Sequence, residues 1–231
     1  MRLLAFDTAT SATVVGLWTD PLEEVIEARD DPASGERPRH TEALVGYARA
    51  LLDRAGLTFA DLDRIAVGIG PGSFTGLRIG VATARALAQA TGAVLAPVST
   101  LRALAMLREE PPEYGTVVLP VIDARRGEVF VAGWRGEQQV FKPHAITPEK
   151  LAELAVHSGA GTRRPWLAVG DGAVRFSDQL VQAGVTVPEE GSPVHRVGAE
   201  ALCRLGAQAE PAPRAAVLPE YLRAPDAKPR S

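Results

Sequence analysis

Residues 3–18, LLAFDTATSATVVGLW, and residues 119–134, LPVIDARRGEVFVAGW, align without a gap. Leu3 falls on Leu119, Asp7 on Asp123, Val15 on Val131 and Trp18 on Trp134. The physical pattern repeats as well. An apolar run reads as a buried strand, an acid ends it, a polar turn follows, and a β-branched or apolar run returns as a second strand. Two copies of one opening unit predict an α/β chain of two lobes of similar plan.

After the first copy, residues 29–39 are a charged loop rich in Pro and Gly. Leu44, Ala48, Leu51, Leu52 and Ala55 then recur at helical spacing, and Gly56 suits a C-cap. Arg64–Ile69 reads as a strand broken by Gly70-Pro71-Gly72. Ser73 suits the N-cap of a helix running to about Thr91. A strand at Val94–Val98 and a helix at Leu101–Leu107 complete the first lobe. Glu109-Glu110-Pro111-Pro112 divides the chain into lobes 1–108 and 109–231, the second smaller. The second lobe continues with a helix over 148–157 and a strand at Trp166–Val169 ending in Gly170-Asp171-Gly172. Helices near 177–183 and 198–209 follow. In the Pro- and Arg-rich tail, Leu218–Leu222 is expected to dock, returning toward the first lobe, and the last residues to fray.

Composition narrows the function. The 231 residues carry 25 basic and 28 acidic side chains, a net charge of −3. Phosphate neutralisation supplies most nucleic-acid affinity, so a chain without basic excess is expected to reach a nucleic acid through a partner. The single cysteine, Cys203, excludes an internal disulfide and a Cys-based zinc site, and its apolar surroundings predict an inert buried thiol. The opening apolar run is too short for a signal-peptide core and no stretch approaches membrane-spanning length, so the cytoplasm is expected.

Gly70, Gly72, Ser73 and Gly76 lie between a strand and a helix, where backbone N–H groups and a helix N-terminus can meet an anion. The run is neither a P-loop nor a strict dinucleotide fingerprint, because no Gly-Lys-Ser/Thr follows and Thr75 stands at the third glycine position. A tight turn with close helix–strand packing is the alternative. Asp7 and Asp123 end equivalent strands; each either caps its own turn or holds metal and water beside a nucleotide. Arg125 and Arg126 either bind an anion or are solvated and salt-bridged. The helix after the loop is apolar over an arc wider than one buried face needs, so either the sheet and a neighbouring helix cover it or a partner chain does. Leu44, Ala48 and Leu51 on the first helix and Leu77, Arg78, Val81, Ala84 and Arg85 on the second are the candidate partner interface. No two of His40, His144, His157 and His195 share helical i,i+4 spacing, so no metal site is expected; His40, beside Glu42, is the one to watch. No nucleophile elbow is present and Ser73 has no evident base, so no catalytic residue is assigned.

The run Gly70-Pro71-Gly72-Ser73-Phe74-Thr75-Gly76-Leu77-Arg78-Ile79-Gly80 resembles the signature of the TsaB (YeaZ) family. Phe6–Thr10, His40–Leu44, Pro97–Leu101, Ile122–Val129 and Tyr221-Leu222-Arg223 match further blocks in family order. The resemblance implies a two-lobed actin/hexokinase-like (ASKHA) fold. It implies a part in adding a threonylcarbamoyl group to the adenosine next to the anticodon in tRNAs. The partners it implies are a catalytic paralogue, TsaD, and an ATPase, TsaE, with a homodimer when alone and tRNA met only through the complex. No cofactor is required by the chain itself, and the subunit junction is a place for ATP or ADP. In the catalytic paralogue a His-x-x-x-His pair binds metal where this chain has Thr100 and Leu104, and leucine cannot ligate a metal. Ala9 stands where sugar kinases of this fold carry glycine for a close phosphate approach. The competing expectation is a nucleotide-dependent transferase or an NADP-dependent oxidoreductase using Gly70–Gly76, with Ser99 and Arg102 facing a 2′-phosphate. The missing His pair and the lack of His-Glu-x-x-His argue against a metalloprotease.

Overall fold

The computed structural model describes residues 1–20, 24–33, 35–106, 115–158 and 165–223. The expected lobe boundary at 109–112 and the tail end beyond 223 lie outside them. In the first lobe β1 (Arg2–Asp7) and β2 (Thr13–Thr19) form the expected hairpin. β3 (Glu24–Asp30), β4 (Arg64–Gly70) and β5 (Val94–Ser99) extend it to the order β3-β2-β1-β4-β5, with β4 and β5 parallel to β1. In the second lobe β6 (Val117–Arg125) and β7 (Glu128–Arg135) form the second hairpin. β8 (Gln138–Ile146) and β9 (Trp166–Val169) complete the order β8-β7-β6-β9, β9 running parallel to β6. Each lobe is therefore an antiparallel three-strand meander with a parallel strand added beside its first strand.

The repeat is imperfect by one residue. Leu3 pairs with Trp18, but Trp134 pairs with Val118, not with Leu119. A bulge between Asp123 and Arg125 absorbs the difference, where the second hairpin turns through only Arg126-Gly127. Both residues of that turn, with φ of 55° and 78°, are left-handed, as a two-residue hairpin loop requires.

Helices α1 (His40–Arg54) and α2 (Phe74–Thr91) cover one face of the first sheet. α3 (Thr100–Ala105) and α7 (Ala199–Gln208) lie on the other side, in a core to which β6 and β7 contribute Val118, Ile122, Ala132 and Trp134. α7, late in the chain, lies against the first sheet: its Leu202 and Cys203 share a core with Leu3 and Ala66. α4 (Pro148–His157), α5 (Asp171–Arg175) and α6 (Ser177–Gln182) cover the outer face of the second sheet through Leu151, Ala155, Ala173 and Leu180.

Candidate functional site

The glycine loop is filled by the chain itself. Ser73 N–H donates to the Ala9 carbonyl at 2.7 Å, and the Thr8 hydroxyl donates to the Gly76 carbonyl at 2.8 Å. A Cβ on Gly72 would overlap the Ala9 carbonyl, one on Gly76 the Thr8 carbonyl, and one on Gly80 would meet Thr8 Oγ1 at 2.5 Å. On Gly70, a Cβ would meet the Glu220 carbonyl at 3.0 Å. These glycines let the β1–β2 turn and the tail lie directly against the start of α2. Ser73 caps α2 as expected, accepting from Gly76 N–H at 3.3 Å. On this side the loop is packed against backbone, while Gly72, Ser73 and Thr75 also line a hollow between the lobes. At Gly70, Gly72, Ser73 and Gly76 the structure has the tight turn with close packing that was the alternative reading, a packing clasp.

The two strand-end acids are likewise turn caps. Asp7 Oδ1 accepts Ala9 N–H at 2.7 Å, and Asp123 Oδ1 accepts Arg125 N–H at 2.8 Å. Asp7 is 1% exposed, and burial pushes its carboxyl above the ordinary range despite the hydrogen bond from Thr100. Asp123 Oδ2 is held by Arg125 at 3.2 Å and Arg175 at 2.7 Å. Arg125 is thus salt-bridged, one of the two alternatives for it. Burial also raises Asp171, whose Oδ1 accepts from the Asp123 and Gly172 N–H groups.

Thr100 is fully buried against Asp7, and Leu104 packs in the shared core. Ser99 caps α3, while Arg102 pairs with Glu137 and the Gly136 carbonyl, so neither is placed for a 2′-phosphate. An antiparallel hairpin at the centre of each sheet also departs from the dinucleotide-binding plan. His40 is buried, with Nδ1 2.9 Å from Thr13 Oγ1 and Nε2 without a hydrogen-bond partner among the described residues; burial lowers its basicity. Among the described residues no group of three His, Cys, Asp or Glu side chains is placed to hold a metal, and no helix is long and apolar enough to cross a membrane.

The candidate partner interface divides in two. Leu44, Ala48, Leu51, Leu77, Val81 and Ala84 are all under 5% exposed within the chain. That assignment to a partner is corrected: they pack beneath the helices, and the wide apolar arc of α2 is partly covered by its own sheet. Arg78 is exposed and Arg85 half-buried. Beside them, Ala82, Ala86 and Gln89 form an outward strip that the candidate interface left out. The signal was present: Gly76, Gly80, Ala84 and Ala88 mark the packed face at i,i+4 spacing, which leaves 82 and 86 opposite. This strip and the tail residues Pro213, Arg214, Pro219 and Tyr221 enclose an open groove of about 1040 Å³. A second hollow of about 530 Å³ lies between the lobes, lined by Ala9, Ser73, Asp123, Arg125, Tyr221 and Arg223 among others.

A family model described as TsaD, tRNA N6-adenosine threonylcarbamoyltransferase, matches residues 34–198. The Escherichia coli protein named tRNA threonylcarbamoyladenosine biosynthesis protein TsaB is 34% identical over 197 residues, 81% of this chain and 78% of that protein. Among solved structures, YeaZ from Pseudomonas aeruginosa superposes with a TM-score of 0.74 at 27% identity, covering 95% of this chain and all of that one. The ROK hexokinase of Thermus thermophilus, at 13% identity, covers 90% of this chain and 99% of that one with a TM-score of 0.51, a likeness of fold alone. Sequence blocks, doubled sheet plan and relatives agree: this chain belongs to the TsaB (YeaZ) family and has the two-lobed actin/hexokinase-like fold.

Proposed function

We propose that this chain works in tRNA threonylcarbamoyladenosine synthesis as a non-catalytic subunit that docks the catalytic paralogue TsaD on the outer face of α2. The observation that carries the reading is a contrast. The groups that would serve chemistry, Asp7, Asp123 and the glycine loop, make internal contacts. The α2 strip of Ala82 and Ala86, rimmed by Arg78, Arg85 and Gln89, is left uncovered by the described residues. Small residues allow close approach of a second helix, and rim charges give orientation. The same face serves a homodimer when the partner is absent, and the assembled pair recruits the ATPase TsaE. The subunit junction is the place for ATP or ADP. Contact with tRNA is made through the complex, in keeping with the net charge of −3.

The test is titration calorimetry of the full chain against the catalytic paralogue, with Ala82→Asp and Arg85→Glu as variants and circular dichroism as the folding control. The expected result is a folded protein with at least tenfold weaker binding, on the scale of a charge clash at an interface. Native-like binding by both variants would reject the α2 face. Threonylcarbamoyl transfer by the isolated chain would reject the non-catalytic role.

A further inference from the structure

The last described segment runs back over both lobes. Ala212 N–H donates to the Leu95 carbonyl at 2.9 Å, at the edge of β5. Val217 is 1% exposed in the core beneath α1 and α2. Glu220 N–H donates to the Ile69 carbonyl at 2.7 Å, at the end of β4. The Tyr221 ring lies 5.2 Å from that of Phe74, and its hydroxyl accepts from Arg78 Nε at 3.3 Å. Arg223 then crosses to the second lobe and pairs with Glu128 of β7 at 2.7 Å. The segment is therefore rooted in one lobe and hooked to the other. Tyr221 belongs to both hollows: it walls the α2 groove on one side and the interlobe cleft on the other.

We propose that Pro211–Arg223 is a coupling strap, through which a partner docked in the α2 groove and the seating of the second lobe's hairpin against the first lobe reinforce each other by way of Tyr221. The proposal rests on the reading of α2 as the docking face. Only two residue steps separate Tyr221 from Arg223, a reach of about 7 Å when fully extended. Glu128 cannot move away without breaking its ion pair or drawing Tyr221 off Phe74 and Arg78. A partner that covers Arg78 and Tyr221 opposes that withdrawal and so holds the hook in place. By linkage the hook returns the same factor to the partner's affinity. Arg223 and Glu128 are 30% and 33% exposed, so the hook is weak enough to open and close.

The experiment uses the full chain with Glu128→Gln, and Arg223→Gln as the second variant should the first fold poorly. Hydrogen exchange of the isolated protein is followed at the Glu220 and Tyr221 amides, with the α1 amides of Ala48 and Leu51 as the control. Exchange at the strap is expected to rise about threefold or more while α1 is unchanged, and affinity for the catalytic paralogue to fall about two- to fivefold, the span of an exposed ion pair. Strap amides that exchange at the native rate overturn the strap. Faster strap exchange with unaltered affinity overturns the coupling. If the native chain does not bind the paralogue at all, the docking-face reading fails, and the strap is then decided by the exchange result alone.

Discussion

Thr100 donates its hydroxyl to Oδ2 of Asp7 at 2.6 Å, and both side chains are sealed from solvent. The bond joins the start of α3 to the end of β1, two elements 93 residues apart in the chain. It stands where the resemblance puts a metal ligand in the catalytic paralogue, and here it does structural work. Thr100→Val leaves a buried carboxylate oxygen without its donor. A hydrogen bond to a charged group contributes about 1.5–3 kcal/mol, so the variant should lose about that much, read as the denaturant midpoint at pH 7. Thr100→Ser should recover most of it.

Asp7 also sets a pH dependence. Its folded pKa is raised by burial, so the folded protein binds the proton more tightly than the unfolded chain does. Stability should therefore fall as pH rises from about 4 through the raised value. Asp7→Asn removes that slope while keeping an acceptor for Ala9 N–H. Unfolding curves across pH 4–7 for both proteins check this: a native-like slope in the variant would assign it elsewhere.

His40 acts in the opposite sense. Burial lowers its folded pKa, so the unfolded chain takes up the proton first as pH drops. The stability contributed by neutral His40 is present above the unfolded value of about 6.5 and is lost as pH falls below it. His40→Gln should flatten the stability profile between about pH 5 and 7.

Two glycines in helices should respond in opposite directions to alanine. Gly76 has its Cβ position filled by the Thr8 carbonyl, so Gly76→Ala should cost about 3 kcal/mol or more through displacement of the β1–β2 turn. Gly46, in the middle of α1, has open space there. Gly46→Ala should gain up to about 1 kcal/mol from helix propensity. Thermal unfolding of the pair distinguishes the clasp from a generic intolerance of substitution.

Cys203 is fully buried, and its thiol is pushed up to about 12, chiefly by desolvation. Thiolate is the reactive form, so a disulfide reagent at pH 8 should react with the native protein only at the rate of unfolding. Prompt labelling without denaturant would contradict the packing of α7 on the first sheet.

Local pattern alone decided much about this chain. The two hairpins, the helices over 40–54 and 74–91, the Ser73 cap and the repeated lobe plan were legible because strand alternation, helical spacing and capping are written in neighbouring residues. Two of the four edge strands were not: β3 (EVIEARD) and β8 (QQVFKPHAI) are charged or Pro-containing and half-exposed, so they carry little apolar signal and take their form from the partner strand. Side-chain direction was beyond reach for the same reason. That Asp7 meets Ala9 N–H and that Gly76 makes room for the Thr8 carbonyl depended on which distant segment arrived to fill the space. Tertiary structure decided these points, because close packing leaves each position only the room its neighbours in space do not take.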